Sequence, residues 1–198
     1  MGRLYFIRHG QASMGAKNYD ELSELGMTQA RLLGEYFKAN EIRFDQIICG
    51  TQVRHKQSAQ HFLSGYHTKN SNLPFTYMKE FNEYNFDAII KAYLKCHPEE
   101  KQDSYSNKAL IQLLKKSLTS WSQDQLSHGK FNELDETWAQ FQQRVSKGLL
   151  KLQSDFRQSD TLIFTSGGPI AQVVSQVLDI PANKSIELNL TIQNTAIT

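Results

Sequence analysis

At 198 residues, with 39% hydrophobic and 21% charged residues, the chain carries enough apolar material for one substantial core and lacks the composition of a disordered segment. Its 22 Lys and Arg against 20 Asp and Glu leave a formal charge of +2, which excludes nucleic-acid or membrane-surface binding as a whole-protein property and makes any anion preference local. No charged segment leads into an apolar one at the start and no run of about 18 apolar residues occurs, so a cytoplasmic protein without a membrane span is expected.

The first predicted element is the apolar run Leu4-Tyr5-Phe6-Ile7, a buried strand that delivers Arg8-His9-Gly10 at its end. Two cationic side chains leaving a buried strand call for solvent or for an anion, and from the tripeptide alone a surface pair is the simpler reading. Gly10 lets the chain turn sharply, and ligands of open α/β sheets collect beyond the carboxyl ends of strands. Gln11 to Glu21 is polar and reads as a loop over that strand end, with Met14 and Tyr19 available to a ligand.

Ser23 has the chemistry of a helix N-cap, and Leu22, Leu25, Ala30, Leu33 and Phe37 follow at helical spacing to about Asn40. Phe44 to Cys49 is a second strand, closed by Gly50-Thr51. Thr51 is placed to cap a helix from about Gln52 to Leu63, with Arg54 in its first turn, where unpaired backbone N–H groups and the helix dipole favour an anion. A lone arginine there is ordinarily solvated; a second one beyond a strand end, like Arg8, argues for more.

Pro74 to Phe81 reads as a third extended segment and is followed by Asn82-Glu83-Tyr84-Asn85-Phe86. The strand-helix rhythm then lapses. Phe86 to Cys96 and Asn107 to Trp121 are predicted helices joined by the polar segment His97 to Ser106, which together suggest an inserted helical cap over about residues 86–131, ended by His128-Gly129. His61, His67, His97 and His128 read as exposed histidines, and Cys49 and Cys96 as free buried thiols without metal-ligand spacing. Trp138, Phe141, Val145, Leu149, Leu152 and Phe156 recur at steps of three and four, a long helix laid on the sheet. Thr161 to Thr165 is a buried strand, and Ser166-Gly167-Gly168-Pro169 turns into a helix with Pro169 suited to its first position. The stretch Ile186 to Ile197 alternates around Asn189 to Thr195 and predicts a short edge strand, after which the chain stops at Thr198 without a breaker or cap. The order of elements predicts an α/β fold: one domain over 1–198, three layers α/β/α, with a mostly parallel central sheet.

Several strand ends now carry suggestive groups, and in this arrangement the sequence resembles the histidine phosphatase superfamily, which includes the phosphoglycerate mutases. The resemblance rests on Arg8-His9-Gly10, the L-S-x-x-G-x-x-Q-A run from Leu22 to Ala30, the R-x-x-Q-S-A run from Arg54 to Ala59, Glu83 in F-N-E-Y-N-F, and the strand-turn-helix from Leu162 to Ile170. It implies a phosphomonoesterase with no metal or cofactor and a small phosphorylated substrate. His9 would be the nucleophile and Glu83 the general acid and base; Arg8, Arg54, Ser166 and Gly167 would hold the phosphoryl oxygens.

One departure stands out. Where the family usually has a second histidine followed by glycine, this chain has Ser166-Gly167. Exchanging a histidinium donor for a neutral hydroxyl removes roughly 1.5–3 kcal/mol of hydrogen bonding, or about 10- to 150-fold in rate if felt wholly in the transition state. His55 lies beside Arg54 and is a candidate to supply the missing imidazole, but neighbouring helix positions point about 100° apart, which makes this the less favoured reading. The loop asparagine that often follows R-H-G has only Asn18 as a counterpart. Two other functions therefore stay open: a weakened module that binds phosphoryl groups or protein, and mutase-type phosphotransfer. Substrate and oligomeric state are not legible.

Overall fold

The computed structural model describes residues 2–13, 20–66, 73–126 and 134–198. Met14, Asn18, Tyr19, His67, the His128-Gly129 turn and the expected end of the cap near residue 131 lie outside them.

Four strands, β1 (Leu4–Arg8), β2 (Gln46–Cys49), β3 (Phe75–Tyr77) and β4 (Thr161–Thr165), form a parallel sheet in the order β1-β4-β2-β3. β4 is buried along its whole length between β1 and β2, which is why its sequence is apolar without alternation. Its Thr161 and Thr165 hydroxyls are absorbed by hydrogen bonds with Gln46 and with the Phe81 carbonyl. The register sets Arg8 against Thr165, and the His9 N–H donates to the Thr165 carbonyl at 2.9 Å, so the first and last strands end side by side.

The two faces of the sheet bury different sets of side chains. Ile7, Ile47, Cys49 and Phe164 face Phe37 and Phe62 on α1 (Glu24–Ala39) and α2 (Val53–Tyr66). Phe6, Ile48 and Ile163 face the opposite core, where α5 (Trp138–Asp155) and α6 (Gly167–Leu178) pack. α3 (Phe86–Cys96) and α4 (Asn107–Ser122) add Ile89, Tyr93, Leu113, Leu118 and Trp121 to that second core, and α7 (Ala182–Thr191) packs on α6 and α4. The result is the three-layer α/β/α arrangement expected, with helices on both faces.

Local signals explain the helix starts. The Ser23 hydroxyl accepts from the Gly26 N–H at 3.1 Å, Asn85 and Ser106 cap α3 and α4 in the same way, and Thr137 with Gln140 forms a capping box at the start of α5. Four expectations are corrected. Thr51 does not cap α2: its hydroxyl accepts from Asn82 Nδ2 and its N–H donates to Asn82 Oδ1. Pro74 to Phe81 is extended only over β3 and then tightens into a 3₁₀ turn, Lys79–Phe81. Pro169 is the third residue of α6, where it still lacks only an N–H that has no intrahelical partner. Cys96 is exposed, whereas Cys49 is buried as expected; both are free.

The largest correction concerns the C-terminal segment. Asn189 to Thr191 belongs to a helix, not a strand, because Pro181 sets the helix entry and Ile186 with Leu190 packs into the second core. Edge pairing occurs a few residues later. Thr198 exchanges hydrogen bonds with Phe6, and Ile197 forms an antiparallel bridge with Ile7, so the last residues cover the open edge of β1. Among the described residues no helix is long and apolar enough to cross a membrane.

Candidate active site

The ends of β1, β2 and β4 converge with the turn after β3. His9 follows β1 directly and is 7% exposed. Its Nδ1 lies 2.6 Å from the Gly10 carbonyl, which can only accept, so Nδ1 carries the proton and Nε2 presents a lone pair. Burial, reinforced by the Arg54 and Arg8 guanidinium groups, lowers its pKa to about 3. Such an imidazole is neutral throughout the ordinary pH range, as a nitrogen nucleophile must be. Ser58 fixes the next residue, accepting from the Gly10 N–H at 3.0 Å while donating to the Arg54 carbonyl.

Arg8 leaves the strand on the opposite side to Ile7 and donates through Nη1 to the Ile192 carbonyl, while its buried Nε has no partner among the described residues. Arg54 is buried in the first turn of α2. Its Nη1 lies 2.6 Å from Asp20 Oδ1 and its Nη2 3.0 Å from Gln52 Oε1. The other Asp20 oxygen accepts from the Val53 N–H at 2.8 Å, so a carboxylate of the chain occupies the helix-start anion position that the sequence suggests for a ligand.

Glu83 follows the 3₁₀ turn and reaches α6: Oε2 accepts from the Gly168 N–H at 3.1 Å and Oε1 from the Tyr84 N–H at 3.3 Å. Gly168 is required by that approach, since a Cβ there would stand 2.1 Å from Glu83 Oε1. Burial raises the Glu83 pKa above the ordinary carboxylate value, although Gly168 and the two arginines pull the other way. The carboxyl therefore keeps its proton to higher pH than an exposed one. Arg8, Arg54, Glu83, Tyr84, Phe86 and Asn189 line a cavity of about 170 Å³, and a wider one of about 630 Å³ shares Arg54, Glu83, Tyr84 and Phe86.

The structure thus gathers Arg8, His9, Arg54 and Glu83. Ser166 and Gly167 follow β4 level with His9 and line neither cavity: Ser166 is fully buried with Oγ 2.6 Å from His55 Nε2, and Gly167 abuts Asn189. His55 is fully buried and lines neither cavity, yet its ring comes within 5.7 Å of that of His9, centroid to centroid. Of the aromatic residues around the site, Tyr84 and Phe86 line the cavities, whereas Tyr93 and Trp121 are core.

Sequence reasoning missed several supporting groups. Gln52 links the two halves of the site, its Oε1 accepting from both Arg54 and the Glu83 N–H. Arg144 holds Glu136 through two nitrogens and donates to the carbonyls of Lys79, Glu80 and Asn82, fastening the turn that presents Glu83. Asn194 donates to the His9 carbonyl and Asn189 to the Tyr84 hydroxyl.

An imidazole, two guanidinium groups and a carboxyl meeting at the carboxyl ends of parallel strands mark a three-layer α/β protein of the phosphoglycerate mutase-like class. The chain belongs to the histidine phosphatase superfamily, whose branch 1 family model matches residues 4–198. It is 27% identical over 109 residues to a broad-specificity phosphatase of Saccharomyces cerevisiae, covering 52% of this chain and 46% of that protein. It is 28% identical over 114 residues to a 6-phosphofructo-2-kinase/fructose-2,6-bisphosphatase of Caenorhabditis elegans, covering 52% of this chain and 23% of that protein. The chain spans less than half the length of either relative. The fold is shared with a phosphoglycerate mutase from Bacillus anthracis (TM-score 0.65, 21% identity, 98% of this chain and 85% of that one). It is also shared with a phosphoserine phosphatase from Entamoeba histolytica solved with 3-phosphoglyceric acid (TM-score 0.65, 18% identity, 100% and 89%).

Proposed function

We propose that the protein is a phosphomonoesterase acting through a phosphohistidine on His9. The observation that carries this reading is the 2.6 Å contact of His9 Nδ1 with the Gly10 carbonyl, which leaves Nε2 as the free nucleophilic nitrogen close to Arg8 and Arg54. The His9 Nε2 lone pair attacks phosphorus as the bond from phosphorus to the ester oxygen breaks, and the Glu83 carboxyl gives its proton to the departing alcohol. Water then attacks phosphorus, its proton passes to the Glu83 carboxylate, the N–P bond breaks, and phosphate leaves with His9 and the protonated Glu83 restored. The guanidinium groups of Arg8 and Arg54 stabilise the phosphoryl oxygens in both steps, for which their planar forks are suited.

The substrate is read as a small phosphorylated molecule. Residues 1–198 act as one domain in this reading, and the helical insertion over about residues 86–131 caps the site. Phe86 and Leu114, from the two helices of that insertion, face the cavity that holds both arginines. The relatives that are phosphatases support hydrolysis over phosphotransfer.

Incubation with an aryl phosphate at about pH 4 to 8, with acid-labile radiolabel trapped on the protein, tests the mechanism. His9→Ala should abolish the trapped label and lower turnover about 1000-fold or more. Turnover that survives His9→Ala defeats the phosphohistidine, and vanadate binding without turnover on any phosphomonoester establishes a binding module instead.

A further inference from the structure

Among the described residues His55 is an unusual polar group. It is fully buried on α2, its Nε2 lies 2.6 Å from Ser166 Oγ, and its Nδ1 has no partner among the described residues. A buried N–H without an acceptor is costlier and rarer than an unused lone pair, so the proton belongs on Nε2. Nε2–H then donates to the Ser166 oxygen, and the hydroxyl has its own proton to donate elsewhere. The β1–β4 register, with Arg8 beside Thr165 and the His9 N–H on the Thr165 carbonyl, puts Ser166 next to His9.

The sequence makes room for this ring at two positions. Ser166 is small where the family resemblance calls for histidine. Gly50 is bare where a Cβ would stand 2.2 Å from His55 Nδ1. Burial, with His9 and Arg54 close by, holds His55 well below the ordinary histidine pKa, so it serves as a neutral donor and not as a second cation.

We infer that His55 is a positioning residue of the phosphoryl site: through its hydrogen bond to Ser166 it turns the Ser166 hydroxyl toward the phosphoryl group on His9. The inference rests on the phosphohistidine reading above. The imidazole missing from the end of β4 is in this way supplied from α2, one hydrogen bond removed from the reacting atoms.

The experiment compares wild type with His55→Leu, His55→Gln, Ser166→Ala and the double variant His55→Leu/Ser166→Ala. It measures kcat, KM, Tm and the affinity for vanadate, which mimics phosphorus in the transition state. His55→Leu and Ser166→Ala should each lower kcat about 10- to 100-fold and leave KM within about three-fold. The double variant should be no worse than either single one, as expected of two groups acting as a unit. His55→Gln, whose amide N–H can reach the Nε2 position, should recover most of the loss. Vanadate affinity should fall in step with kcat.

A His55→Leu protein with wild-type kcat and vanadate affinity overturns the inference, as do losses that multiply in the double variant or a His55→Gln as impaired as His55→Leu. Should His55→Leu fail to fold, Ser166→Ala answers the same question with a much smaller change. If wild type binds vanadate without hydrolysing esters, hydrolysis alone is refuted and the vanadate series decides the role of His55. If wild type binds no vanadate, both readings fall.

Discussion

The two faces of the sheet build their halves of the site by different means. On the α1–α2 face the two helices come into backbone contact at Gly34 and Gly65, where a Cβ would stand 2.1 Å from the Phe62 and Arg31 carbonyl oxygens. His9, His55 and Ser58 lie against that close-packed pair, and His9 is oriented by a backbone carbonyl. On the opposite face a large aromatic core carries α3 and α4, and the turn that presents Glu83 is fastened by the side chains of Gln52 and Arg144, while its carboxylate accepts from the Gly168 backbone N–H. Backbone-limited packing leaves a side chain one position, whereas a carboxyl on a turn held by side chains can be retuned by substitution. The proposed nucleophile thus belongs to the rigid face and the proposed acid to the adjustable one.

The largest effect expected on the adjustable face is that of Glu83→Gln, which should lower kcat about 100- to 10,000-fold for an ester with a poor leaving group and much less for an activated aryl ester. The pH profile sharpens the assignment. His9, with its pKa lowered to about 3, stays neutral over the measurable range and imposes no acid limb above about pH 4. Glu83 must be protonated to act as acid, and its pKa is raised, so kcat/KM should be level on the acid side and fall as pH rises through that value. Glu83→Gln should flatten this fall. A fall that persists in Glu83→Gln would assign the titration to another group.

Arg144 comes next, because it tests whether the acid depends on remote side-chain contacts. Removing it leaves the half-buried Glu136 carboxylate without its partner and three carbonyls of the Glu83 turn without their donor. Arg144→Leu should lower kcat about 10- to 100-fold while vanadate affinity, set mainly by the other face, changes less than about three-fold. Arg144→Lys should recover only part of the loss, since one ammonium cannot reproduce a fork that bridges a carboxylate and several carbonyls. Equal losses in kcat and vanadate affinity would show that the two faces are not separable.

Legibility in the sequence followed the same division. The order of strands and helices, the Ser23 cap, the heptad-like run of α5 and the Arg8-His9-Gly10 strand end are local patterns, and the structure carries all of them. The C-terminal helix was misread because Ile186, Leu188, Leu190 and Ile192 fit a period of two as well as the packing of a short helix, and packing on α6 and α4 decides between them. Arg144 and Gln52 left no signal of their own: each looks like an ordinary polar position on a helix or in a turn. Their partners lie 62 to 65 and 31 residues away. His55 was legible only jointly with Ser166, as a histidine gained on α2 and another absent after β4. Helix geometry alone gives the direction of a Cα–Cβ bond and not the reach of a ring past the bare Gly50 to Ser166.

Asp20 gives the smallest effect and the finest test of how the faces meet. Its carboxylate spans the Val53 N–H at the start of α2 and the Arg54 guanidinium, both of which would otherwise attract a phosphoryl group. As a competitor for positive charge it weakens anion binding, and as a brace it orients Arg54; the two roles have opposite signs. Asp20→Asn keeps the shape and removes the charge. At a helix start a charge is worth about 0.3–1 kcal/mol at low ionic strength, so phosphate inhibition should tighten about two- to five-fold if competition dominates. That gain should shrink as salt is raised, because the carboxylate is partly exposed. A weaker phosphate inhibition that does not respond to salt would instead make Asp20 the brace of Arg54, and would extend side-chain control from the Glu83 side of the site to the arginine on the rigid face.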